Sequence, residues 1–355
     1  MRKILGFVGL LMVLSAIAIA TQPTFTFNRY VDYGPHAVAG NCMGAATRAN
    51  GGVLFCDGYD DWVIQVATPL TTDGSTNDGA NSLGVYQAIE GTTYYFSGGT
   101  YQGICYDGTN YFASGVSLTT SCVLIKLTDA TPYVGVKLTV SPDGPYSGVT
   151  AVSAGNIVMP NYDTGALQFF TVSGATATAN GTAIANPNVS TFKTTQAYFY
   201  NDGNNKWILT YMVDTVKTRR IDVFQTDGTP GGTTYRGTFC DSITTNYVVD
   251  NIRGVKYCNL AIHPGRKVLV AAAAIDSAGN NGFDVFDINA ITYGGTATPY
   301  LQIRDVNFTG GTNHLTTGAA FFNSASVDYV AFTGANRMNV YTVETASGEE
   351  NWFIY

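Results

Sequence analysis

Charge is scarce in this chain. Only 12% of its 355 residues are charged while 45% are hydrophobic, so a large core is affordable but the charged side chains that favour exposed helices are missing. Glu is rarer still: Glu90, Glu344, Glu349 and Glu350 are the only ones, and the last three crowd the C-terminal stretch. Hydrolysis by paired carboxylates therefore has Glu90 as its sole internal Glu, and no Asp pair stands out to replace it. Histidine is limited to His36, His263 and His314, each in a loop-like context, and no GxSxG elbow occurs, which leaves no recognisable Ser-His-Asp arrangement. No CxxC pair exists, and Gly-rich runs such as Gly231–Thr234 lead into no phosphate-loop pattern. With a net charge of -7, and with Lys217–Arg220 as the only basic knot, nucleic acid and anionic membranes are poor partners.

What the chain has in abundance belongs to strands and tight turns. Gly 40, Tyr 23 and Phe 19, with frequent Thr, Asn and Val, predict an all-β protein. Arg2 and Lys3 precede an apolar stretch, Leu5 to Ile17, and the small-x-small sequence Ala18-Ile19-Ala20. That pattern predicts a signal peptide over residues 1–20 and export of the rest, with no later segment apolar enough to span a bilayer. All six cysteines follow it, as three neighbouring pairs. In an exported chain these predict the disulfides Cys42–Cys56, Cys105–Cys122 and Cys240–Cys258.

Six stretches share one grammar. A short strand of small residues comes first, at Gly44–Thr47, Gly103–Tyr106, Gly148–Val152, Gln196–Tyr200, Asn259–Ile262 and Gly318–Phe322. An apolar strand follows, and after an Asp/Asn/Gly-rich turn a third strand alternates: Trp62–Val66, Val123–Leu127, Ala166–Val172, Arg220–Phe224, Phe283–Ile288 and Met338–Val343. Alternation with period two marks strands with a buried face. Fourth strands are less regular; Tyr133–Leu138, Tyr235–Phe239 and Pro299–Ile303 are candidates. No such unit buries its own faces, so repetition implies a closed array. Small residues near an axis and bulkier ones outside describe the tapering blade of a β-propeller. We expect one domain over residues 21–345 with six four-stranded antiparallel blades, or seven if Ser82–Gly99 forms its own unit. The sixth unit lacks a fourth strand, which either Thr24–Tyr30 or the apolar tip Asn351–Tyr355, beyond the linker in residues 346–350, would supply.

The fifth unit, Leu260–Ile288, pairs the turn His263-Pro264-Gly265 with the later strand Asp284-Val285-Phe286-Asp287. It resembles the repeat of the YVTN/lactonase-like β-propellers. Lactonase members use acidic and polar residues at the channel mouth, whereas Ala271 to Ala274 follow the matched strand here, so no catalytic residue carries over and fold alone assigns no activity.

Turns between second and third strands bring acids to one face: Asp57, Asp60, Asp61, Asp163, Asp214 and Asp276, with Asn336 in the sixth unit. Such oxygen-rich loops are candidates for ligand hydroxyls or Ca²⁺, the one cofactor this set admits, although Asp and Asn also simply make turns. His263 is expected in a turn on the opposite face. Trp62, Trp207 and Trp352 are candidates for sugar stacking or for packing, and the sequons at Asn180, Asn188 and Asn307 for surface loops. The expected function is that of a secreted, non-enzymatic propeller binding a cell-surface protein or glycan. The alternatives are a propeller hydrolase working at the axial mouth and a structural surface-layer component.

Overall fold

The computed structural model describes residues 22–32, 42–47, 53–57, 63–66, 100–116, 121–128, 135–187, 192–214, 219–241, 260–263, 265–274, 281–290, 297–305, 318–333 and 337–344. They form strands almost throughout, with one short 3-10 turn at Ile288–Ala290. After an N-terminal strand β1 (Thr24–Asp32), the first unit is β2 (Cys42–Thr47), β3 (Val53–Asp57) and β4 (Val63–Val66). The second is β5 (Thr100–Tyr106), β6 (Asn110–Val116), β7 (Cys122–Thr128) and β8 (Gly135–Ser141). The third is β9 (Thr150–Ser153), β10 (Asn156–Pro160), β11 (Leu167–Ser173) and β12 (Thr176–Ile184). The fourth is β13 (Phe192–Asn201), β14 (Lys206–Asp214), β15 (Arg219–Thr226) and β16 (Thr234–Asp241). The fifth is β17 (Leu260–His263), β18 (Val268–Ala274), β19 (Asn281–Asp287) and β20 (Leu301–Asp305). The sixth is β21 (Gly318–Ser324), β22 (Val327–Thr333) and β23 (Arg337–Glu344).

Each unit is an antiparallel meander. The first strand of every unit lies against the first strand of the next, from β2 through β5, β9, β13 and β17 to β21, and β21 returns to β2. That closed circuit of inner strands is a six-bladed β-propeller among the described residues; Ser82–Gly99 lies outside them. The sixth blade is completed by β1, which pairs antiparallel with β23 from Thr24 opposite Glu344 to Asp32 opposite Arg337. The N-terminal strand therefore closes the ring. A bulge between Phe27 and Arg29 interrupts this ladder, and a bulge with a charged neighbour protects an outer edge from pairing with other chains.

The core is divided among the gaps between blades. Val158, Leu167 and Phe169 of the third blade meet Ala197, Ile208 and Phe224 of the fourth, while Tyr211 and Val223 of the fourth meet Leu260 and Leu269 of the fifth. Strand β18 shows why second strands are apolar throughout: Leu269 packs toward the fourth blade, and Val268 and Val270 pack toward the sixth. Phe283 stacks on Phe332 across the next gap at 4.0 Å. Small inner residues such as Ala45, Ala261 and Ala319 are buried where the blades converge.

Two features depart from the sequence-based expectation. The second and third blades are not separate four-stranded sheets, because Thr139–Ser141 of β8 pair in parallel with Thr176–Thr178 of β12. The two blades fuse into one eight-stranded sheet, each outer edge satisfying the other's backbone groups. Second, the expected Cys105–Cys122 disulfide is absent and both are free thiols. Strand β6 separates them, with Cys105 opposite Phe112 and Cys122 opposite Val116. Two ladder steps span roughly 10 Å, beyond the ~7 Å between Cα atoms that a disulfide bridges. Burial pushes the Cys122 thiol up to about 12, with the Asp143 charge adding to the shift. It raises Cys105 as well, with help from Asp107. Cys42 and Cys56 lie on the neighbouring strands β2 and β3; Cys240 lies on β16, and Cys258 is outside the described residues.

If β1 holds the ring, removing residues 24–32 will abolish cooperative thermal unfolding of the whole chain, and an unchanged midpoint by circular dichroism would refute its closing role. The β21–β22 hairpin turns through Ala325 and Ser326 at φ 49 and 66, a left-handed pair that glycine adopts without strain. Ser326→Gly is expected to stabilise the chain by about 0.5 kcal/mol, read as a raised midpoint in urea.

Candidate functional site

The propeller has two faces. Inner strands begin on the face where each blade receives the chain from its predecessor, and the β10–β11 and β14–β15 turns lie there too. The linker between second and third blades is fastened to the β10–β11 turn on this connection face, where Tyr162 N–H donates to Pro145 O at 2.7 Å and Ser147 N–H to Pro160 O at 2.9 Å. The opposite face carries the hairpins that join inner strands to second strands.

On the hairpin face, hydrogen bonds run from blade to blade. Gly155 N–H donates to Asp107 Oδ2 at 2.9 Å, joining the second and third blades. Phe199 N–H donates to Thr150 Oγ1 at 2.8 Å between the third and fourth, and Lys267 Nζ to Tyr200 OH at 3.1 Å between the fourth and fifth. Thr47 Oγ1 donates to Phe321 O between the first and sixth. The richest link joins the fifth and sixth blades through Asp328. Its Oδ2 accepts from Arg266 Nε at 2.6 Å and from His263 Nε2 at 3.1 Å, while Oδ1 accepts from Asn323 at 2.7 Å. Arg266 N–H donates to His263 Nδ1 at 3.1 Å, so His263 is spanned by its own turn and the next blade. His263 thus lies in a turn on the hairpin face, as its His-Pro-Gly context implies, with both ring nitrogens engaged. Burial alone would raise the Asp328 carboxyl, but the hydrogen bonds from Asn323 and Arg266, together with the charge of His263, hold it below the ordinary carboxylate range.

The connection face has a different chemistry at its axial mouth. The six inner strands that form it contain no Asp or Glu. Gln196 of β13 reaches across the mouth instead: its Oε1 lies 2.9 Å from the place a Cβ would take on Gly103 of β5, and that place is also 2.8 Å from Val149 N and 2.9 Å from Gly148 Cα. No side chain fits at Gly103, so the backbones of the second and third blades and the Gln196 amide close together there. Ser147, fully buried, donates to Thr194 O. Gln196 Oε1, Thr194 Oγ1 and Ser114 Oγ are buried without a hydrogen-bond partner, and each such atom costs about 1–3 kcal/mol when nothing satisfies it.

Of the expected ligand residues, Asp163 is exposed in the β10–β11 turn, where Asn161 Oδ1 caps the turn by accepting from Asp163 N–H at 3.0 Å. Asp57 ends β3 and Asp214 ends β14, both on the same connection face; Asp60, Asp61 and Asp276 lie outside the described residues. Trp207 is buried and donates from Nε1 to Asp202 at 3.2 Å, a packing position; Trp62 and Trp352 are outside the described residues.

Sequence reasoning missed a row of buried polar residues on third strands. Gln168, Asp222, Asp284 and Asn339 are 6%, 0%, 0% and 0% exposed at matching places in successive blades. Asp222 receives Arg220 Nε at 2.6 Å, Thr238 Oγ1 at 3.0 Å and Asn186 Nδ2 at 2.9 Å, tying the outer strand and the preceding linker to β15. Gln168 reaches Gly181 O of β12 at 3.2 Å. Aligning the third strands of the repeats reveals the row, since a polar residue recurs there between apolar ones.

The depressed Asp328 carboxyl contributes stability that is present above the unfolded value of about 3.9 and is lost as pH falls through its lower folded value. Asp328→Asn should therefore lower the thermal midpoint at pH 5, with an effect that shrinks as the pH is taken down through the depressed folded value. A loss that stays constant as the pH falls would show that the carboxylate charge contributes nothing.

No family model matches the chain, and no curated protein matches it. Among solved structures, streptogramin B lyase aligns with a TM-score of 0.46 at 11% identity over 92% of this chain and 100% of that one. YCF48 from Cyanidioschyzon merolae aligns at 0.44 and 11% identity over 89% and 88%. The GH32 β-fructofuranosidase BmSUC1 of Bombyx mori aligns at 0.43 and 10% identity over 65% of this chain, which spans 54% of that enzyme. The propeller assignment itself rests on the six meanders and their closed circuit of inner strands, the architecture that the fifth unit's YVTN/lactonase-like resemblance implies.

Proposed function

We propose that this chain is an exported, non-enzymatic propeller that presents its connection face to a protein or glycan at a cell surface. The observation that carries the reading is that the six described inner strands hold no Asp or Glu. A hydrolase working from those strands by paired carboxylates needs one carboxyl group to give a proton and another to stay ionised, and the described inner strands supply neither. Recognition then falls to the turns around the mouth, among them the β10–β11 turn with exposed Asp163. The positively charged, apolar and small-residue segments of residues 1–20 support export. In an oxidising compartment Cys42–Cys56 and Cys240–Cys258 are the disulfides of this reading, the first on neighbouring strands.

The test is binding of the purified mature chain to glycan arrays and to displayed cell-surface ectodomains. Asp163→Lys on the connection face should weaken a specific interaction at least tenfold, and Asp227→Lys on the hairpin face should leave it intact. The reverse pattern would move the site to the other face. Turnover of lactones or polysaccharides, abolished by replacing a single carboxylate, would overturn the non-enzymatic reading.

A further inference from the structure

Asparagine is uncommon inside strands, because its short amide competes for the backbone bonds that a ladder needs. Elsewhere in this chain the residue has a visible structural role: Asn161 Oδ1 caps the β10–β11 turn, Asn186 holds Asp222 and Asn323 holds Asp328. Asn180 has none. It lies within β12, its side chain is exposed, and its amide makes no hydrogen bond among the described residues. Two residues on, Thr182 is exposed as well. Asn180-Gly181-Thr182 is thus an Asn-x-Thr sequence of the kind that accepts N-linked sugar, with both of its reactive side chains open to solvent. The other two such sequences, at Asn188 and Asn307, lie outside the described residues.

The ladder turns this segment outward. Asn180 stands opposite Phe169, and the next pairing joins Ile184 to Leu167, so Gly181, Thr182 and Ala183 face Gln168 alone in a bulge, which re-aims side chains. Gly181 permits it: its φ is 69, and a Cβ there would come within 2.8 Å of Pro230 Cγ in the β15–β16 turn. Opposed residues of an antiparallel pair project to one side of the sheet, which places Asn180 on the Phe169 side of the third blade, the side packed against the fourth. Its position on the outermost strand keeps it in solvent. Parallel pairing with β8 ends at Thr178, so the outer edge of β12 from Ala179 to Ile184 meets no described strand.

We infer that Asn180 is the attachment site of an N-linked oligosaccharide, acquired as the chain is exported by a route that carries the transferase. The inference rests on the export reading in the proposed function. In the transfer Asn180 Nδ2 bonds to the anomeric carbon of a lipid-pyrophosphate-linked oligosaccharide. The bond from that carbon to the pyrophosphate oxygen breaks, the lipid pyrophosphate leaves with the electron pair, and the amide releases one proton. Transfer to an extended chain precedes folding, so the fold must leave room for the sugar, and it does so at the rim between the third and fourth blades. There the sugar covers the edge that β12 leaves open to pairing with other chains. Both faces of the ring stay clear for a partner.

Expression in a eukaryotic secretory host tests this, with residues 1–20 in one version and an established secretory signal in their place in another. The second version imposes export, so Asn180 alone is on trial. With Asn188→Gln and Asn307→Gln also present, the secreted chain should run heavier until peptide-N-glycosidase removes the shift, and mass mapping should then find Asn180 converted to Asp. Asn180→Gln and, separately, Thr182→Val should abolish the shift, while Thr182→Ser should keep it. A secreted chain with a bare Asn180, behind either signal, would overturn the inference, whereas secretion behind residues 1–20 upholds export whatever the state of Asn180. Retention of that version in the cell, with Asn180 modified behind the substitute signal, would support the attachment site and count against export alone.

Discussion

Everything in this structure depends on the ladder between β1 and β23. Each blade is too thin to bury its own faces, and its apolar side chains are covered only by the blades on either side. A linear array of six would leave two faces bare. Pairing Thr24 with Glu344 and Asp32 with Arg337 joins the first and last described strands in one sheet, so the sixth blade takes one strand from the N-terminal side and three from the C-terminal side. With the ring closed, Val31 of β1 is buried among Ala45 and Val53 of the first blade and Met338 and Val340 of the sixth. The same strand that supplies hydrogen bonds thus supplies packing across the seam, where the covalent chain offers none.

Closure also governs where polar chemistry is spent. A ring of packed blades is rigid only if neighbours keep their rotation, and side chains on the hairpin face fix it one pair at a time: Asp107, Thr150, Lys267, Asp328 and Thr47. Such bonds are individually modest, each adding about 1 kcal/mol net, but they act in sequence around the rim. The only described histidine is absorbed by this duty, as are Arg266 and Lys267. Residues that look chemical in the sequence therefore turn out to be fasteners, and the hairpin face is left with groups already satisfied by each other.

Much of the fold was legible in the chain because period-two alternation and the small-to-bulky gradient are local. The six inner strands, the six alternating strands and the three outer candidates near Tyr133, Tyr235 and Pro299 each overlap a strand of the structure, and Thr24–Tyr30 lies within β1. The failures concern relations between strands. Proximity of Cys105 and Cys122 in sequence says nothing of the β6 strand that separates them. The parallel pairing of β8 with β12 joins segments whose partners are set by blade twist, not by any turn. The row of Gln168, Asp222, Asp284 and Asn339 was hidden because alternation reads a polar residue as exposed, whereas these are buried by the neighbouring blade and by the linker that Asn186 carries. At the mouth, Gln196 looked like one more strand residue; only the absent side chain of Gly103 shows what it faces.

The lack of Asp and Glu on the described inner strands fits the same geometry that makes the ring. Six inner strands converge on one axis, so side chains at their first positions approach one another from all sides in a poorly hydrated space. Carboxylates brought together there would repel and lose solvation, a cost that an enzyme offsets by binding metal or raising a pKa. Gly44, Gly103, Gly318 and Gln196 are among the residues that avoid that cost on four inner strands. They also forfeit what it would provide, because a neutral amide neither donates a proton to a leaving group nor attacks one. Recognition by the surrounding turns is the capacity on which the proposed function draws, and the closed ring of blades holds those turns in fixed relative positions for it.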